Sequence, residues 1–97
     1  MPSVPQLLSL LLASGAWFRI FDRRSAETRW LKVTSYSADA GRVAFAEFDG
    51  NNVLVLNTRQ LMDDLLARRS EPIDPTPAAK SALEQYILSQ DVGGTLH

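Results

Sequence analysis

The chain contains no cysteine, which removes disulfides, thiolate nucleophiles and cysteine-ligated zinc together. It has a single histidine, His97 at the last position, so a histidine general base or a histidine metal site lacks its material. A surplus of positive charge is also missing: ten basic residues stand against eleven acidic ones, for a net charge of −1. Proteins that neutralise many phosphates carry a clear basic excess, so a broad nucleic-acid-binding role is disfavoured. No apolar run approaches the ~20 residues that a membrane-spanning helix requires. One run, Leu7 to Ala13, has the length of a signal-peptide core, but no Lys or Arg precedes it, and it reads as a helix instead. The absence of cysteine fits a reducing compartment, and a cytoplasmic location is the expectation.

What remains is an ordinary folding composition. Ninety-seven residues with 45% apolar and 22% charged side chains predict one domain over residues 1–97. Ser3 and Gln6 have capping-box spacing, Leu7, Leu8, Leu11 and Leu12 share a face, and Gly15 supplies a left-handed stop. These features predict a helix over 3–14, with Leu10 widening its apolar face.

From Ala16 the period changes to two, predicting a β-meander over 16–57. Phe18 and Ile20 point one way, against Trp17, Arg19 and Phe21. Leu31 and Val33 oppose Trp30, Lys32, Thr34 and Tyr36, while Val43 and Phe45 share a face. The stretch DGNN predicts a tight hairpin, and VLVLN, apolar on both faces, a central or helix-covered strand. Asn57 and Gln60 cap a helix over 58–69, whose stripe is Leu61, Met62, Leu65 and Leu66. SEPIDPTP reads as an extended linker, Thr76 and Pro77 open a helix over 77–90, and DVGGTLH frays. The fold class is α+β with a mainly β core. It is a small antiparallel barrel or curled meander of about four to six strands, with one N-terminal and two C-terminal helices.

The chemistry-bearing residues concentrate in WFRIFDRRSAETR, where Arg19, Arg23, Arg24 and Arg29 gather. Guanidinium forks there suit phosphate or nucleotide, a partner's acidic patch, or merely the solvated rim of a β-turn. Trp17 and Trp30 are expected under flanking helices. Asp63 and Asp64 are adjacent on a helix and diverge, so they make no carboxylate dyad. No serine has a base or an elbow motif, and no acidic loop has metal spacing. An enzyme is not expected, nor a cofactor.

Gly15-Ala16-Trp17-Phe18, then Arg29-Trp30-Leu31-Lys32-Val33, then the Phe45-to-Gly50 hairpin and the helix after Asn57 occur in a distinctive order. Over roughly residues 14–88 the chain resembles the C-terminal domain of a bacterial family of unknown function related to PilZ, the small barrel that reads cyclic di-GMP. The resemblance implies a PilZ-like barrel that is cytoplasmic, regulatory and non-enzymatic. PilZ domains bind the dinucleotide through Arg-x-x-x-Arg, which Arg19 and Arg23 match in spacing, with Arg24 adjacent. They also use Asp/Asn-x-Ser-x-x-Gly, to which Ser37 and Gly41 are nearest. Here the serine-to-glycine spacing is one residue longer and the leading acid or amide is missing.

The resulting expectation is a regulatory or adaptor module acting through protein contacts, with a degenerate nucleotide site. A cyclic di-GMP receptor using Arg19, Arg23, Arg24, Ser37 and Gly41 is the alternative, and an RNA-binding small barrel a weaker one. The expected partner is another protein or a larger parent chain. Leu7, Leu8, Leu11 and Leu12 are more apolar surface than one edge of so small a domain covers, and predict a homodimer through the first helix.

Overall fold

The computed structural model describes residues 3–95, with side chains described over 3–90. Eight elements follow in order: α1 (Val4–Leu11), β1 (Trp17–Asp22), β2 (Glu27–Ser37), β3 (Arg42–Ala46), β4 (Leu54–Asn57), α2 (Thr58–Leu66), β5 (Glu71–Ile73) and α3 (Pro77–Thr95). The strands form one antiparallel sheet in the order β4-β3-β2-β1-β5. The architecture is a small, mainly β, α+β fold with a curled sheet, as the periodicity predicts.

Period-two alternation builds the inner face. Phe18, Ile20, Leu31, Val33, Val43, Phe45 and Leu56 are buried on it. Phe18 and Phe45 meet edge to face at 5.6 Å between ring centroids, across the intervening β2. All three helices add to this one core: Leu7, Leu8, Leu11 and Leu12 at the α1 end, Leu61, Met62 and Leu65 from α2, and Ala79 and Ala82 from α3. The expected interface leucines are therefore core residues. The shared core of sheet and helices covers the stripe that 97 residues seemed too few to bury, and Leu10 alone of the run's leucines is exposed.

Both expected capping boxes form. The Ser3 hydroxyl accepts the Gln6 N–H while Gln6 Oε1 accepts the Ser3 N–H, and Asn57 and Gln60 repeat the arrangement at α2. Both helices end earlier than expected. The Leu12 N–H closes α1 onto Leu8, and Gly15, at φ +87°, serves the turn into β1 instead of the helix stop. Conversely, α3 runs on to Thr95 past the expected end at Gln90, since glycine weakens a helix without forbidding it.

Four further expectations are corrected. A register shift between Val33 and Ser35 leaves Thr34 as an extra residue, which swings Tyr36 onto the inner face opposite Val43. The DGNN turn is longer than a two-residue hairpin: the chain leaves β3 at Ala46 and enters β4 at Leu54, with Gly50 at φ +84°. VLVLN supplies an edge strand and not a central one, while its inner face, at Leu56, is covered from α2 as the other expected setting has it. The supposed linker contains β5, which pairs Pro72 opposite Phe18 at the other edge, where a missing N–H is tolerated.

Candidate functional site

The arginine-rich turn is largely consumed by internal pairing. Arg23 donates from Nη1 to Asp64 Oδ2 (2.8 Å) and from Nη2 to Asp64 Oδ1 (2.9 Å), a two-pronged fork on one carboxylate. Arg69 Nε donates to the same Oδ1 at 2.9 Å. Asp64 is completely buried, and its main-chain carbonyl accepts the Arg69 and Ser70 N–H groups as well. A carboxylate taken out of water needs such partners to offset its lost hydration. Next to it the buried Ser70 hydroxyl accepts the Phe21 N–H (2.9 Å), continuing the edge of β1 where β5 stops. Asp64 and Ser70 thus lock the end of α2 under the β1–β2 turn.

The remaining arginines divide. Arg19, on the outer face, pairs through Nη2 with Glu71 Oε1 at 2.8 Å, and its Nε is buried without a hydrogen bond among the described residues. Arg29 Nη1 reaches Asp22 Oδ2 (3.2 Å), and its Nη2 donates to the Asn52 carbonyl (3.4 Å), bringing the β1–β2 turn round toward β4. Asp22 Oδ1 accepts the Arg24 N–H at 2.9 Å. That bond, opposed by burial and helped by Arg29, holds the Asp22 carboxyl below its ordinary value of 3.8. Only the Arg24 side chain in this group makes no ion pair or hydrogen bond among the described residues.

The second expected motif lies elsewhere. Ser37 Oγ accepts the Ala40 N–H and shapes the β2–β3 turn, in which Gly41 takes φ +64° and its carbonyl accepts the Thr58 N–H. Ser37 ends the 11-residue β2, whose other end adjoins the arginine turn. At about 3.3 Å per residue along β2, the turn arginines stand roughly 30 Å from Ser37 and Arg19, opposite Trp30, about 23 Å. They do not converge. The cleft beside Arg23 and Arg24, lined also by Phe21, Leu54, Leu56 and Gln60, holds about 170 Å³. That is below the ~300 Å³ at which small-molecule sites begin. A larger cleft of about 440 Å³ between the end of α2, β5 and α3 contains none of the expected site residues.

The outer face of the sheet is the other candidate surface. It carries Trp17, Arg19 and Phe21 from β1, Trp30 and Lys32 from β2, and Val55 from β4. Trp30 is 66% exposed, contrary to the expected helical cover, because the helices lie on the opposite face. Lys32 Nζ donates to the Phe48 carbonyl (3.1 Å), tying the β3–β4 loop beside Trp30. Phe48 is 78% exposed and Val53 61%. This grouping was not legible from period alone, which assigns faces but not which face is covered.

Among the described residues, no three His, Cys, Asp or Glu side chains are placed to hold a metal ion. No described helix is long and apolar enough to cross a membrane. Comparison with protein-family models, with curated proteins and with solved structures finds no match.

Proposed function

We propose that the chain is a non-enzymatic regulatory or adaptor module of PilZ-like type that works through protein contacts on the outer face of its sheet. The observation that carries this reading is the exposure of Trp30 on an uncovered sheet face, with Phe48 and Val53 of the β3–β4 loop exposed as well. Tryptophan left in water forfeits about as much burial energy as any side chain can offer, and aromatic anchors of this kind dominate protein interfaces. The nucleotide site is degenerate in this reading. Its support is the engagement of Arg23 by Asp64 and of Arg19 by Glu71, and the distance of Ser37 and Gly41 from both.

The test uses the whole chain immobilised in native lysate, comparing wild type with a Trp30→Ser, Phe48→Ser variant by quantitative mass spectrometry. Selective loss of captured proteins in the variant is expected, and an unchanged set would sink the assignment of this face. Calorimetry with cyclic di-GMP separates the alternative. No saturable heat is expected, and micromolar binding abolished by Arg24→Ala would make the chain a nucleotide receptor instead.

A further inference from the structure

The cleft of about 440 Å³ between the end of α2, β5 and α3 falls within the size range of small-molecule sites. Its backbone is strained at two points. Ala67 caps α2, and the next residue, Arg68, takes φ +61°. The Arg68 N–H donates to the Leu65 carbonyl (3.2 Å) and the Arg69 N–H to the Asp64 carbonyl (2.9 Å). This paired closure of a helix favours glycine at the position Arg68 holds, because left-handed backbone disfavours a side chain. Asp74, at φ +52°, follows β5, and both residues line the cleft. A side chain kept where the backbone favours none points to a use for that side chain.

The rest of the lining supplies apolar surface and uncommitted charge. Lys80, Leu83, Glu84 and Ile87 recur at i, i+3, i+4 and i+7 and so share one face of α3. Leu83 and Ile87 are half-buried, as are Pro72 of β5 and Pro75 after it. Arg68, Asp74, Lys80 and Glu84 are exposed, and none of them forms an ion pair among the described residues. Glu71, the remaining charged residue of the lining, is held by Arg19. A simple anion such as phosphate would meet the carboxylates as well as the cations. An uncharged apolar ligand would strip water from charges of both signs and return nothing. A zwitterion with an apolar body satisfies both signs and the apolar surface.

We propose that this cleft binds short apolar peptides with free termini, of about two or three residues, which are ligands of the size such clefts hold. The Arg68 guanidinium takes the terminal carboxylate as a planar fork, and the Glu84 carboxylate takes the terminal ammonium. Leu83, Ile87 and the two prolines receive the peptide's apolar side chains. Neither Trp30 nor Phe48 lines the cleft, so the inference is independent of the outer-face reading.

Titration of the isotope-labelled full chain with leucyl-leucine to about 10 mM, followed by NMR, tests it. Saturable shifts of the Arg68, Leu83 and Ile87 amides are expected. N-acetyl-leucyl-leucine amide, which lacks both terminal charges, should bind at least about tenfold more weakly, and Glu84→Gln should weaken leucyl-leucine to a similar degree. Arg68→Gly is the decisive variant. It relieves the left-handed backbone and removes the fork, so it should raise the melting temperature while weakening leucyl-leucine at least about tenfold. Misfolding cannot produce that pair of effects. A wild type without saturable shifts overturns the proposal, as does equal affinity for the blocked dipeptide or wild-type affinity in either variant. A fall in the melting temperature of Arg68→Gly overturns it too, since the arginine would then serve the fold.

Discussion

Arg23 and Arg24 are neighbours in sequence with opposite duties. Arg23 is half-exposed but shares the buried Asp64 carboxylate with Arg69, whereas the Arg24 side chain has no described partner. Arg23→Ala should therefore cost about 2–4 kcal/mol, since it strips a buried charge of its bidentate donor. Arg24→Ala should stay within about 0.5 kcal/mol, because the Arg24 main-chain bond to Asp22 is retained. Denaturant titration of the two variants checks this, and equal losses would place Asp64 in water. Asp22 gives a pH signature. Its folded pKa lies below 3.8, chiefly through the Arg24 N–H, so the unfolded chain binds its proton first as acid is added. The stability it contributes is complete above that ordinary value and is lost as pH falls through the lower folded value. Asp22→Asn should thus lose less melting temperature than wild type between pH 5 and 3. Parallel pH profiles would show that Asp22 contributes nothing to acid sensitivity.

At the scale of elements, α2 is the piece that ties the sheet to the rest. Its stripe places Leu61 and Leu65 one turn apart with Asp64 between them, so apolar packing and the buried ion pair act on the same face. Leu65 is 2% exposed. Leu65→Ala should destabilise by about 2–5 kcal/mol through lost burial and the cavity left behind. A change below about 0.5 kcal/mol in chemical denaturation would mean that α2 is not docked. The same element shows how a polar residue inside an apolar stripe can be read: Asp64 lies three residues after Leu61, a position that obliges it to find a cation. The helical spacing reveals the obligation but not that Arg23, 41 residues away, discharges it.

For the molecule as a whole, a single core joins α1 to the sheet and the other helices. Unfolding should be one cooperative transition, and α1 should have no separate melting phase. Leu8→Glu puts a charge into that core and should collapse the fold instead of releasing a folded monomer. The observation to make is the near-ultraviolet dichroism of the variant, and a native signal at wild-type melting temperature would show α1 to be peripheral.

The sequence alone determined what depends on neighbours in the chain. Ser3 with Gln6 and Asn57 with Gln60 are separated by one helical turn, so each cap could be inferred from spacing, and both form. The inner faces of β1 and β3, and of β2 as far as Val33, follow from alternation because every second side chain must share a side. Tertiary structure decided the rest, because those outcomes depend on residues far apart in sequence. An extra residue at Thr34 turned Tyr36 inward, a proline-bearing segment became β5 once β1 offered it an edge, and VLVLN ended on an edge, paired among the described residues with β3 alone. The four leucines at α1 look excessive against local sequence and are ordinary against a core built from six other elements. Arg23 looks like a ligand residue until Asp64 is brought beneath it, and Trp30 looks buried until the helices all settle on the opposite face. Periodicity assigns a side chain to a face of its own strand; only long-range packing determines what, if anything, covers that face.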